Sequence, residues 1–300
     1  MNQKATYTLL LILRIVLMGS KFLYIAFLGS YVSTESLSTL LWIAAFVGYA
    51  VSVISFEYHF GVVRHVSFTT SGYSSTSESL VDNHFGAITF LTLSGISGFL
   101  LVHSIFDFSV FPSYLNNATS ILLLAAIVYC EVVNTDQYRY FQVNGIRLQI
   151  GSLVFRNFLP PFFHVCFIYF GLGGDLVRIY LIIWLCCSAS GSFFWSLYTG
   201  RYVNNLLKVR LPSRKILSTS KFAISISLLS AAYLQLDKVI LINLLDADSY
   251  ISYSIFCMIG LASLVIVQVL FIQPNLKAWY GDNKVKFEWV HLLRLLLIQI

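Results

Sequence analysis

Long apolar runs separated by short polar turns recur along the whole chain. A helix crossing the ~30 Å hydrocarbon core of a bilayer needs roughly 20 mainly apolar residues. Eight windows meet that requirement: 6–30, 37–56, 85–111, 119–138, 148–172, 176–198, 222–245 and 250–273. A ninth begins near Trp289 and is cut off at Ile300. The chain stops while still apolar, so a truncated reading frame or a fragment of a longer protein is expected. The first apolar stretch is too long and too interrupted for a signal-peptide core, and no small-residue cleavage site follows it, which makes it a retained first span. The expected fold class is all-α, a polytopic membrane helical bundle of eight to nine transmembrane helices.

Composition agrees. Of the 300 residues 58% are hydrophobic and only 11% charged, against about 25% charged in a soluble domain, so the chain lacks the polar groups to cover a globule. Disorder, a secreted disulfide scaffold, collagen and a nucleic-acid module are excluded on the same ground. Cys130, Cys166, Cys186, Cys187 and Cys257 lie inside apolar runs with no metal spacing, where they act as small hydrophobes.

Cytoplasmic loops retain positive charge, and this orients the spans. With the amino end inside, Lys4, Arg64, Arg139, Arg147, the run from Arg201 to Lys221, and Lys277, Lys284 and Lys286 all fall on the cytoplasmic side. Glu35, Asp175, Asp246 and Asp248 fall at outer turns, where Arg178 is the one basic neighbour. One missed span would invert every later loop. The longest soluble stretches, 57–84 and 200–221, are too short for a catalytic domain. Segment 200–221 is basic and free of acids, which suits a linker along an anionic inner leaflet.

An internal repeat supports a two-part organisation. KFLYIAFLGSYVSTESLSTLLWIA from Lys21 and KVILINLLDADSYISYSIFCMIGL from Lys238 both run from a mid-helix lysine through an outer turn into the next span. They lie six spans apart, as in transporters built from repeats. The domains expected are therefore an N-terminal six-helix lobe over 1–199, a basic cytoplasmic linker over 200–221, and a partial second lobe over 222–300.

Charges at mid-membrane cost at least about 2.5–3.5 kcal/mol each and usually face a partner or a wet cavity. Arg14 and Lys21, two turns apart, share one helix face; they look into a polar cavity, or Arg14 snorkels to the headgroups. Asp237 and Lys238 are adjacent and point about 100° apart. An acid there suits a coupling ion and a lysine suits a phosphate, unless the two satisfy one another. Glu131 and Arg156 come level across an antiparallel hairpin, which predicts an ion pair. Pro160 and Pro161 should kink the fifth span. His103 with Asp107 reads as a pair meeting interfacial water, and Asn117-Ala118-Thr119 matches a glycosylation sequon. Glu57, His59 and His65 lack the further ligands of a metal site. With no phosphate-cradling loop and no nucleophile elbow, no catalytic residue, cofactor or metal is expected, and the chain reads as a transporter, not an enzyme.

Three segments carry a family resemblance: SFEYHFGVVRHVSFTTS (55–71), EVVNTDQYRYFQVNGIRLQIGSLVFRNFLPPF (131–162) and QLDKVILINLLDADSYISYSIF (235–256). They resemble the Wzx-type O-antigen and polysaccharide flippases of the multidrug/oligosaccharidyl-lipid/polysaccharide exporter superfamily. The resemblance implies a fold of two six-helix lobes around a central cavity, here one complete lobe and the start of another. It implies translocation of undecaprenyl-diphosphate-linked oligosaccharide from the cytoplasmic to the periplasmic leaflet of the bacterial inner membrane by alternating access. The cavity cations then correspond to Arg14, Lys21 and Lys238, and a coupling acid to Asp237 or Glu131. The implied partners are the lipid-linked oligosaccharide, membrane lipids and other polysaccharide assembly proteins such as a polymerase and a chain-length regulator, with no nucleic acid. Three alternatives stand beside it: an efflux transporter of small cations, which would want acids in the cavity; a membrane-embedded polymerase or glycosyltransferase, which would want a large outer loop; and a scaffold without transport activity.

Overall fold

The computed structural model describes residues 3–55, 86–98, 100–101, 112, 115, 117–144, 146–171, 174–199, 209–214, 216–218, 225, 228–229 and 231–267. The apolar run from Trp289, most of the basic linker, the start of the 222–245 window, the His103/Asp107 pair and the Glu57/His59/His65 group lie outside the described residues.

The described chain is all-helical, with no strand among those residues. Its elements are α1 (Gln3–Tyr31), α2 (Thr34–Ser55), α3 (Gly86–Gly98), α4 (Ala118–Asn144), α5 (Ile146–Asn157), α6 (Leu159–Tyr169), α7 (Leu176–Thr199), a single π-helical stretch (Ala232–Leu236), α8 (Asp237–Leu241) and α9 (Ala247–Val267). Four stretches are long and apolar enough to cross a membrane: Leu11–Tyr31, Thr34–Ser55, Ala118–Asp136 and Leu176–Phe194. Large apolar side chains such as Val16, Leu23, Leu122, Phe193 and Phe256 point outward, while Arg14, Glu131, Asn134, Asp136 and Lys238 are buried. Water would not tolerate such an outer surface and lipid would, so the bundle is membrane-embedded.

Side-chain caps start four of the helices. Ser33 Oγ accepts the Ser36 N–H at 3.3 Å before α2, Asn117 Oδ1 the Ser120 N–H at 2.8 Å before α4, Asp175 Oδ1 the Arg178 N–H at 3.1 Å before α7, and Asp246 Oδ2 the Ser249 N–H at 3.1 Å before α9. Each satisfies an amide that the first helical turn leaves without a partner. Asp175 and Asp246, two of the acids expected at outer turns, are thus helix caps, as is the asparagine of the sequon.

At Asp246 the Ser249 hydroxyl, and then the Ser249 amide, hold the carboxyl below its ordinary value of 3.8. A depressed carboxyl stabilises the fold above its unfolded pKa, and that contribution disappears as pH falls through the folded value. Protection of the Ser249 amide against hydrogen exchange is therefore expected to drop below about pH 4 in the wild type. It should stay level in Asp246→Asn, whose amide oxygen caps at any pH; parallel profiles would rule out the carboxylate cap.

Two expected spans are interrupted. The window 148–172 divides into α5 and α6 at Phe158, where the backbone stays in the α region and i→i−4 bonds flank the interruption (Phe158 N–H to the Val154 carbonyl and Phe162 N–H to the Phe158 carbonyl, both 3.0 Å), the local interruption expected of a kink at the two prolines. Pro160 and Pro161 sit in the first turn of α6, where a missing N–H leaves no bond unmade. Gly171, at φ 63°, ends α6 in the left-handed conformation that favours glycine. The window 222–245 contains the π-helical stretch and ends early, since Asn243 N–H to the Ile240 carbonyl (3.3 Å) and Leu244 N–H to the Leu241 carbonyl (3.0 Å) tighten the chain into a turn.

Helices α2 and α4 form the centre of the bundle, with α7 along α4 and with the π stretch, α8 and α9 against α2. Trp42, Ile43, Ile127, Val132 and Leu181 are fully enclosed there. A polar seam holds α4 to α7: Asn134 Nδ2 donates to the Ser188 carbonyl (3.0 Å), and Ser192 Oγ donates to Asn134 Oδ1 (2.8 Å). Small residues at 188, 191 and 192 allow that approach. Trp42 Nε1 donates to the Val239 carbonyl at 3.1 Å, tying α2 to α8.

Candidate binding cavity

A cavity of about 510 Å³ opens between α1, α2, α4 to α7 and the π–α8–α9 segment. Arg14, Lys21, Glu131, Arg156 and Lys238 all line it. Among the described residues four cations therefore meet one acid, in a chamber whose other walls include Leu17, Leu40, Ala44, Pro160 and Met258. Asp237 is not among the lining residues.

The acid is fully engaged. Glu131 is 1% exposed; Oε2 accepts from Arg156 Nε at 2.5 Å, and Oε1 accepts from Trp184 Nε1 at 2.9 Å and Ser188 Oγ at 2.6 Å. Trp184 and Ser188 are one turn apart on α7, so a single carboxylate joins α4, α5 and α7. A buried charge holds its place only when paired and hydrogen-bonded, and this one has three donors. The Glu131–Arg156 pair spans the α4–α5 hairpin. The two α7 donors escape sequence reasoning because a tryptophan and a serine in an apolar run look like packing residues.

Each cation has a different footing. Arg14 is buried and donates to the Tyr138 hydroxyl on α4, so its side chain turns inward from α1. Lys238 donates through Nζ to the Leu234 carbonyl and to Asp237 Oδ1 at 3.4 Å. Arg156 commits Nε to Glu131, and its side chain is 28% exposed; its terminal nitrogens make no hydrogen bond to a described residue. Lys21 has neither a hydrogen bond nor an ion pair among the described residues, and the charges of Arg156 and Glu131 reach it across the cavity. An ammonium in that position is held ready for an anion.

Asp237 stands behind Lys238. Its Oδ1 also accepts the Lys238 N–H at 2.7 Å, and its Oδ2 accepts from the Tyr253 hydroxyl on α9. The acid links α8 to α9. Immediately before it, the π-helical stretch presents Gln235 to the cavity, where its side chain packs 3.6 Å from the position of a Cβ on Gly48. Single π turns are rare and frequent at functional sites; here the widened turn leaves the Leu234 carbonyl to Lys238.

Aromatic rings line the wall beside Lys21. Tyr24 and Tyr180 are stacked with centroids 6.1 Å apart, and Tyr180 lies 5.5 Å from Trp184. Behind them is His164 of α6, fully buried, whose Nδ1 is 2.7 Å from the Tyr24 hydroxyl. Among the described residues no group of three or more His, Cys, Asp or Glu side chains is placed to hold a metal ion.

Compared with protein-family models, with curated proteins and with solved structures, the chain matches none.

Proposed function

We propose that this chain is a flippase of lipid-linked oligosaccharide, of the Wzx type, working by alternating access in the bacterial inner membrane. The observation that carries the reading is the ammonium of Lys21, without a partner among the described residues, beside the Arg156 guanidinium in a cavity where cations outnumber acids four to one. Such a chamber suits a phosphate-bearing substrate, because Arg and Lys donors in a water-poor site bind phosphate oxygens through charge-assisted bonds. Its apolar walls tolerate a lipid tail, and the tail can stay in the bilayer while only the diphosphate and glycan enter. The excess of positive charge argues against small cations as cargo. A polymerase and a chain-length regulator are the assembly partners this role calls for.

Translocation in proteoliposomes tests the reading. A fluorescent polyprenyl-diphosphate-linked sugar should reach the opposite leaflet at least tenfold faster than in protein-free vesicles, whereas the same polyprenol with an uncharged linkage should not. Equal rates for the two lipids would remove the diphosphate from the proposal.

A further inference from the structure

Behind the Tyr24 and Tyr180 wall of the cavity lies a titratable group with no part in holding the anion. His164 is fully buried, its Nδ1 meets the Tyr24 hydroxyl at 2.7 Å, and its Nε2 is enclosed without a hydrogen-bond partner. An enclosed ring nitrogen with no partner costs free energy, and such groups tend to occur where a proton or ligand is handled. Tyr24 lines the cavity one turn after Lys21, so a single hydroxyl separates the imidazole from the cationic chamber. The titratable and charged groups around the ring are few. Tyr24 faces it from α1 and Tyr180 from α7, with ring centroids 6.0 and 5.0 Å away. Lys21 on α1 and Arg156 on α5 bring positive charge to the same cavity. The Leu176 carbonyl at the start of α7 also faces the ring. None of the elements packed on α6 places a carboxylate against it among the described residues.

We infer that His164 and Tyr24 form a proton-binding pair, through which the cavity takes up one proton as it takes up its anion. This rests on the reading of the cavity as an anion site. With the chamber empty, Lys21 has no partner among the described residues and Glu131 offsets only Arg156, so a further positive charge on the buried ring is opposed. A bound anion offsets them and lets the ring charge. The step balances simply: the lone pair of the neutral imidazole accepts H⁺ from cavity water and no other covalent bond changes. Both ring nitrogens then carry a proton, Nδ1 donating to the Tyr24 oxygen, which frees the Tyr24 O–H to turn toward the anion. Because binding linkage is reciprocal, acid tightens anion binding by the amount that the anion favours the proton. Glu131, with three donors, and Asp237, held by Lys238 and Tyr253, are already engaged, and His164 is the group left to carry the coupled proton.

The test uses the protein in lipid nanodiscs and inorganic diphosphate, with proton exchange followed by a pH dye in weak buffer. The wild type should take up about one more proton per bound diphosphate than His164→Gln, and its binding should tighten about tenfold more per pH unit over the range in which the ring titrates. Equal proton counts in two proteins that both bind would overturn the pair. Failure of both to bind would instead remove the anion site, and ligand-free wild type then decides. With ring-¹⁵N histidine, the signal of His164 among the six histidines should titrate, with a midpoint that Tyr24→Phe moves. A ring that stays neutral over the whole pH range in which the protein is folded, or one indifferent to Tyr24→Phe, ends the proposal.

Discussion

Glu131→Ala is expected to destabilise the fold by about 3–5 kcal/mol, the cost of leaving one partner of a buried ion pair uncompensated. The variant strips the acceptor from Arg156 Nε, Trp184 Nε1 and Ser188 Oγ at once, and Ser188 is buried away from solvent. Glu131→Gln should fall between wild type and alanine, since its amide oxygen still serves the two α7 donors. Replacing both Glu131 and Arg156 by leucine should cost less than Glu131→Ala alone, because no buried charge is then left behind. Thermal unfolding of the detergent-solubilised protein, read by tryptophan fluorescence, gives the order. An alanine variant that melts within a degree or two of wild type would show that Glu131 does not hold α4, α5 and α7 together.

The ion pair was legible in the sequence because depth along two antiparallel neighbours is a one-dimensional quantity. Counting residues from the ends of the hairpin puts Glu131 level with Arg156, and they meet. Contacts between distant helices have no such ruler. His164 lies in an apolar run with nothing nearby at ligand spacing, and its partner Tyr24 is far away in sequence. The prolines at 160 and 161 announced an interruption, because each removes an N–H from the helical ladder, and the chain is interrupted at Phe158 with helical bonds on either side. The π turn has no residue signature at all.

The lysine repeat shows how a correct anchor can carry a wrong length. The two hairpins align from Lys21 and Lys238 with nearly equal spacing, yet Ser33 caps α2 a little over three turns beyond Lys21, while Asp246 caps α9 a little over two turns beyond Lys238. The second hairpin is about one helical turn shorter. Both lysines still line the cavity, but their neighbours differ. Lys238 follows the π turn, donates to the Leu234 carbonyl and has Asp237 beside it, whereas Lys21 continues a regular helix and has no partner among the described residues.

That difference yields the last expected result. Lys21→Met should weaken binding of a diphosphate-linked lipid by about 10- to 100-fold, the loss of one or two charge-assisted contacts worth about 1.5–3 kcal/mol. Its melting temperature should stay level or rise, because methionine relieves the desolvation of a cation that nothing described neutralises. Lys238→Met should behave in the opposite sense. It removes the donor to the Leu234 carbonyl and the cation beside Asp237, so the protein should melt earlier, and any loss of binding would follow from a displaced π turn. Equilibrium binding and thermal unfolding measured on both variants separate a ligand contact from a structural one. If Lys21→Met melts well below wild type, Lys21 is held by the fold and is not waiting for a phosphate. If it binds as wild type does, the anion is held elsewhere in the cavity and Arg156 becomes the residue to replace.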